Sequence, residues 1–424
     1  MKKTNLPPHW QIKRLGDVCK IYSGYGLPKN LQGQNDGKYP FYKVGDRSRN
    51  VQKGHVYLNF CENYINEEIV DSLRMKLFPV NTVVFAKIGE ALKLNRRAIM
   101  KEKGVVDNNA IGIKAREGFC EDKYLYYFMN TVKLEDYSRA TTVPSVRKTD
   151  IEEIQIPIPP LPEQEQIVAK IEELFSELDA GVENIKTAQE QLKVYRQSLL
   201  KWAFEGKLTN EDVKDGELPK GWRKEKLKNL TSILGDGLHG TPNYFENGEY
   251  YFINGNNLLS GKIFIKNNTK RVDEKEYNKH KKPLDESSVL VSINGTIGNT
   301  AFYRGEKIIL GKSACYFNLL ENVSKFYIRY FIMSPMFMQY ANKVSTGSTI
   351  KNLSLKSMRE MLIPLPCFDE QLKIVEELES RLTVCDKLEE DVKFSLARAE
   401  SLRQSILKQA FEGKLVNFKG ETDK

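Results

Sequence analysis

The strongest constraint on this chain is that its second half repeats its first. Ile156-Pro-Ile-Pro159 and Glu163-Gln164 recur as Ile363-Pro-Leu-Pro366 and Glu370-Gln371. Arg196-Gln-Ser-Leu-Leu-Lys201 recurs as Arg403-Gln-Ser-Ile-Leu-Lys408, and Ala203-Phe-Glu-Gly-Lys-Leu208 as Ala410-Phe-Glu-Gly-Lys-Leu415. The offset is 207 positions throughout, so the two copies align without a gap. A fixed-period repeat means that one supersecondary unit is used twice. A looser repeat precedes each copy. Leu6-Pro-Pro-His-Trp10 matches Leu218-Pro-Lys-Gly-Trp222, Val83–Gly89 matches Val289–Gly295, and Tyr124–Phe128 matches Tyr327–Phe331. The order is therefore variable unit, helix, variable unit, helix. The expected boundaries are 1–155, 156–209, 210–362 and 363–424.

The helices follow from apolar spacing. Ile167, Ile171, Leu174, Leu178, Gly181, Ile185, Ala188, Leu192, Tyr195, Leu199 and Trp202 alternate steps of four and three. That is the 3.5-residue period of a coiled-coil seam. The second copy places Ile374, Leu378, Leu388, Val392, Leu402 and Ile406 at the same phase, with more polar residues between them. Pro162 and Asp369 suit helix starts, and Gly206 and Gly413 suit helix stops. A narrow apolar stripe needs a partner, and the other copy supplies one. Periodicity does not separate parallel from antiparallel pairing. A twofold relation between the repeats makes the pair antiparallel.

Charge locates the partner class. The whole chain carries +9. Residues 163–204 carry −3 and 370–411 carry −2, which leaves +14 for the variable units and linkers. Basic loops with amides and aromatics suit phosphate contact and base reading. In the first unit the candidates are Lys43, Arg47, Arg49, Lys93, Asn95, Arg96 and Arg97. In the second they are Asn254, Asn256, Asn257, Ser292, Asn294 and Thr296. Before each proline run lies a hydroxyl-rich segment, with Thr141, Thr142 and Arg147 in one copy and Thr346, Ser348, Thr349 and Lys351 in the other. Such segments either approach a phosphate or base edge or form a capping turn.

Several function classes lose support. Six scattered cysteines and four histidines form no clustered ligand set, so no metal site is expected. No apolar run reaches the roughly 18 residues of a membrane span, and the start lacks a secretory core, so the expected location is the cytoplasm. Gly305–Ser313 resembles a phosphate loop, but it carries an extra residue and leads into a strand-like run rather than a helix. No dinucleotide-binding turn and no Asn-Pro-Pro-aromatic box is found, so no catalytic pocket is expected in this chain.

The combined pattern resembles the specificity subunits of type I restriction–modification systems, over almost the whole chain. The marks are Pro157-Ile-Pro-Pro-Leu-Pro-Glu-Gln164 and Ala203-Phe-Glu-Gly-Lys-Leu208 with their second copies, together with the two Leu-Pro-x-x-Trp openings. The second proline run departs from the pattern at Pro366-Cys-Phe-Asp369. The resemblance implies a non-catalytic chain of α+β class, with two target-recognition domains alternating with two long helices paired as an antiparallel coiled coil. It implies that each recognition domain reads one half of a bipartite, asymmetric double-stranded DNA site. The helices then fix the spacing and dock two methyltransferase subunits. Those partners would hold S-adenosylmethionine, and motor–nuclease subunits would bring ATP and magnesium, with no cofactor on this chain. A coiled-coil scaffold carrying two protein-binding modules is the alternative, disfavoured by the +14 of its end units.

Overall fold

A computed structural model describes residues 6–138, 143–210, 212–347 and 350–418. Two compact units emerge. One comprises residues up to Ile185 together with those from Phe394 onward, and the other comprises Lys186–Lys393. The two long helices, Leu161–Glu205 (central) and Phe368–Phe411 (distal), are each shared between the units. At 45 and 44 residues they are about 67 Å long at 1.5 Å per residue.

Each unit repeats one topology. In the first, a five-stranded sheet runs in the order Cys19–Ser23, Ala110–Ala115, Val83–Ala86, Arg97–Met100, Tyr57–Leu58. In the second, four strands run Thr231–Asp236, Ala314–Leu319, Ser288–Ser292, Thr300–Phe302. The shared four-strand core, edge strand included, is antiparallel in both. Val83–Ala86 and Ser288–Ser292 are buried at every position, as strands covered on both faces must be. Gly112 sits in the core sheet because a Cβ there would lie 2.6 Å from the Phe78 ring. A three-stranded satellite sheet, centred on Tyr39–Tyr42 or on Tyr250–Ile253, accompanies each core. A two-stranded ribbon joins the opening of each domain to its proline run, Gln11–Arg14 with Gln155–Ile158 and Arg223–Lys226 with Leu362–Leu365.

The repeated motifs are the joints between sheet and helix. Phe411 meets the ring edges of Tyr124 and Phe128 at 5.1 and 5.4 Å. Phe204 meets Tyr327 and Phe331 at 5.1 and 5.2 Å. The Tyr124 hydroxyl donates to the Pro157 carbonyl at 2.8 Å, and that of Tyr327 to Pro364 at 2.7 Å. Gln164 and Gln371, both buried, pin the starts of the long helices. Gln164 Nε2 donates to the Phe119 and Pro159 carbonyls while its Oε1 accepts from Glu121 N. Gln371 makes the same three bonds with Asn322, Pro366 and Ser324. Gly206 and Gly413 end the helices at positive φ, and a Cβ on either would strike Pro219 or Pro7.

Within each unit the two helices run antiparallel. In the first, Arg403 pairs with Asp179 and lies over the Phe175 ring at 4.3 Å, while Glu163 holds His9, whose ring stacks on Phe418. In the second, Arg196 bonds Asp386 at 2.7 Å and Glu389 at 3.2 Å, and Glu370 accepts from Thr209 and Asn210. Arg196 and Arg403 are repeat counterparts, as are Asp179 and Asp386, so the repeat is used reciprocally.

The seam is less uniform than the spacing predicts. Ile167, Ile171, Leu199, Ile374, Leu378 and Ile406 are buried, and they pack into the cores of the two units as well as between helices. Leu174, Leu178, Ile185, Leu192 and Val392 are half-buried. Tyr195, Trp202, Leu388 and Leu402, expected in the seam, are instead 38–49% exposed. A 3.5-residue pattern drifts about 20° per heptad on a straight helix, which turns such side chains toward solvent, although Tyr195 keeps a side-chain hydrogen bond to Arg381 on the other helix.

Removing either anchoring ring tests the joint. Phe204→Ala and Phe411→Ala should each destabilise the chain by about 3–5 kcal/mol, the range for a buried aromatic truncated to Ala. Urea unfolding of the two variants against the parent reads this directly.

Candidate nucleic-acid interface

Five loops meet at one end of the core sheet in each unit, and the same backbone hydrogen bonds tie them. In the first unit Gly24 N donates to Ala110 O, Tyr25 N to Val106 O, and Asp107 N to Tyr42 O. Lys87 N donates to Asn109 O, Gly89 N to Pro144 O, and Val146 N to Lys87 O. In the second the corresponding donors and acceptors are Gly237 to Ala314, Leu238 to Leu310, and Gly311 to Ile253. They continue as Ile293 to Ser313, Gly295 to Lys351, and Leu353 to Ile293. The backbone is thus one scaffold used twice, with side chains differing at nearly every loop position.

The centre of each cluster differs chemically. In the first unit the Asp107 carboxylate accepts from Val44 N and Asn109 N, both at 3.0 Å, and burial pushes its pKa up. In the second the Ser313 hydroxyl takes that place, accepting from Gly255 N at 2.9 Å and donating to Asn254 Oδ1 at 3.0 Å. Gly255 is required there, because a Cβ would lie 2.2 Å from Ser292 Oγ.

The residues expected to touch DNA divide into two groups. Exposed on or near the clusters are Arg49, Lys93, Arg147, Asn256, Thr296, Thr346 and Lys351. Lys43, Arg96, Asn254 and Asn294 are half-buried. Arg49 is held by Asp46 and Glu62 at 2.6 and 2.8 Å, and Lys93 by Glu90 at 2.8 Å. Asn294 Nδ2 donates to Asn352 Oδ1 at 3.2 Å, which joins two of the expected segments. Others are placed inside. Arg97 is 2% exposed, donates to Asn95 Oδ1 and the Val132 carbonyl, and faces the Phe85 ring at 5.3 Å. Arg47 is 3% exposed. Burial lowers the pKa of these two guanidinium groups to about 9 and about 10. Asn257 and Ser292 are also buried, Asn257 bonding the Phe264 carbonyl. Asn95 takes φ +52° so that its Oδ1 meets Arg97. Thr141, Thr142, Ser348 and Thr349 lie outside the described residues.

Loop segments missed by the sequence reading are Ser23–Gly26, Asp107–Asn109, Asp236–His239 and Lys312–Ser313. Gly24 and Gly237 were the available signal, since close backbone approach requires them: a Cβ on Gly24 would lie 1.8 Å from Asp107 O, and one on Gly237 2.2 Å from Leu310 O. Gly311-Lys312-Ser313 leads into the strand Ala314–Leu319, so it cradles no phosphate at a helix start. It instead supplies one of the five loops. The second unit also carries cations over aromatic rings beside its cluster, Lys307 over Tyr250 and Lys270 over Tyr244.

Among the described residues no group of His, Cys, Asp and Glu is placed to hold a metal, and no helix is long and apolar enough to cross a membrane.

The family model for the type I restriction modification DNA specificity domain matches residues 7–192 and 219–397. The chain is 27% identical to the EcoKI specificity subunit of Escherichia coli K12, covering 98% of this chain and 91% of that one. It is 24% identical to the EcoBI specificity subunit of E. coli, covering 96% and 86%. In fold it resembles a chain solved in work on complex assembly and conformational transition of the type I R-M system, with TM-score 0.73, 21% identity and coverage of 97% and 99%. It also resembles the HsdS subunit from Thermoanaerobacter tengcongensis, with TM-score 0.60, 20% identity and the same coverage.

The division into buried and exposed candidates is testable. Arg97→Ala should cost about 1–3 kcal/mol of stability, because it leaves the buried Val132 carbonyl without its side-chain donor and Asn95 Oδ1 with only the long bond from Leu134 N. Asn256→Ala, on the surface, should stay within about 0.5 kcal/mol. Equal losses in thermal unfolding of the two variants would contradict this placement.

Proposed function

Because this chain belongs to the type I restriction modification DNA specificity family, we propose that each loop cluster reads one half of a split, asymmetric site on double-stranded DNA. The reading is carried by one observation: a single hydrogen-bonded scaffold occurs twice and presents different side chains. Identical scaffolds orient both readers alike toward a groove, and unlike loops make the half-sites differ. Phosphate contacts position such a protein, while amides and hydroxyls at base edges specify the sequence. Asn256, Thr296 and Thr346 are the exposed amide and hydroxyl candidates in the second unit, and Arg49, Lys93 and Arg147 are the cations in the first. The buried Arg47, Arg97, Asn257 and Ser292 act by shaping the loops.

The protein is a specificity subunit and contributes recognition rather than catalysis. Residues 1–155 and 210–362 serve as the readers, and 156–209 and 363–424 as spacers. Other subunits of the restriction–modification complex are its partners. Two methyltransferase subunits dock along the helices, where apolar side chains such as Val194, Leu388 and Phe394 remain exposed. They supply S-adenosylmethionine, and motor–nuclease subunits supply ATP and magnesium when the complex cuts.

Exchanging residues 1–155 for the equivalent reader of a relative should change one half of the methylated site and leave the other half intact. Methylome sequencing of a strain expressing the hybrid with its partner subunits checks this. A change in both halves together would exclude independent readers.

A further inference from the structure

The first recognition unit carries a basic trough beside its core sheet. A cavity of about 380 Å³ lies along Cys19–Ser23, the edge strand of its core sheet. Four cations line it, Lys20, Lys76, Arg116 and Lys148, against a single carboxylate, Glu152. Lys148 is 3.6 Å from Glu152. Arg116 is aimed by the carbonyls of Cys19 and Gly16, at 3.3 and 3.2 Å. Among the described residues Lys20 and Lys76 have no carboxylate within 4.0 Å. All four side chains belong to exposed residues. The trough ends at Ser23 and Tyr25, which are also the first loop of the reading cluster.

Lysines on an edge strand often serve only to prevent unwanted strand pairing. The second unit argues against that purpose here. Its edge strand, Thr231–Asp236, holds the same place in the same fold with three of the four cations replaced, Lys282 standing where Lys76 does and Arg359 donating to the Leu234 carbonyl. Ser232 and Ile233 stand where Lys20 does. Leu320 follows the partner strand where Arg116 does, and Leu355 opens the short helix that Lys148 opens in the first unit. The topology therefore stands without Lys20, Arg116 and Lys148, and the clustering of the four cations calls for a polyanion. A five-residue strand is about 16 Å long at 3.3 Å per residue, comparable with the rise of about five base pairs at 3.4 Å each.

We propose that this trough is a phosphodiester track, in which Lys20, Lys76, Arg116 and Lys148 hold the DNA backbone flanking the half-site read by the first unit. The inference rests on the DNA-reading function proposed above and adds a sequence-independent contact to it. The track contributes affinity and salt dependence without altering which bases are read, and it makes the two half-sites unequal in their grip on the protein.

The test uses the full chain in complex with its partner subunits. Affinity is measured across a salt series for a duplex carrying the methylated site and for a duplex lacking it. Single variants Lys20→Gln, Lys76→Gln and Lys148→Gln should each reduce the slope of log affinity against log salt by about one, equally on both duplexes. Lys→Arg at the same positions should retain the slope, and the methylated sequence should not change. Slopes equal to the parent's in all three Gln variants would overturn the track while leaving the reading clusters intact. A loss confined to the site-bearing duplex would overturn it as well, since that would make these residues base readers. If the parent complex showed no salt-dependent duplex binding, the DNA-reading function itself would fail.

Discussion

The seating of one phenylalanine between two aromatic rings is the contact on which this architecture depends. Phe411 and Phe204 bring the end of a long helix onto a short helix, Asp122–Thr131 or Lys325–Met333, that lies on a recognition sheet. A buried Phe contributes about 1.5–3 kcal/mol through burial alone, and edge-on ring contacts add to it. Direction comes from polar groups. The Gln164 and Gln371 amides each satisfy one N–H and two carbonyls at the opposite helix end, and an unmade bond there would cost about 1–3 kcal/mol. Each recognition unit thus grips the start of one long helix and the end of the other, and so the helices run antiparallel within each unit.

A firmly held scaffold frees its loops to vary. The six backbone hydrogen bonds that organise each cluster depend little on side-chain identity, so unlike side chains can be mounted on one frame. Asp107 and Ser313 show how far this goes, since an anion and a neutral hydroxyl occupy equivalent central places. The first unit offsets its carboxylate with the nearby buried cation Arg47, whereas the second needs no counter-charge. Two readers of this kind can share a fold and present different electrostatics.

The distribution of cations sorts structural from binding roles. Arg97 resembled a DNA contact because it sits in a basic run with Arg96, yet its alkyl stem and guanidinium lie against Phe85 inside the sheet. Lys20, Lys76 and Arg116 are far apart in sequence, yet the sheet edge gathers them. Charge density along a chain reports on a surface only where consecutive residues share a face, and alternation along a strand prevents that.

From the repeat alone, the sequence determined the duplicated order of variable units and helices, the helix stops at Gly206 and Gly413, and the repeated motifs that the fold uses as joints. These are properties of local pattern: a 3.5-residue period, a glycine at positive φ, and a motif copied at constant offset. The five-loop clusters were decided by tertiary structure. Gly24, Asp107 and Pro144 become neighbours only when the core strands pair in register, and no spacing in the chain encodes that meeting. The same holds for the exposure of Tyr195, Trp202, Leu388 and Leu402. The heptad pattern fixes their phase, but the packing of the helix ends against the sheets decides which seam positions find a partner.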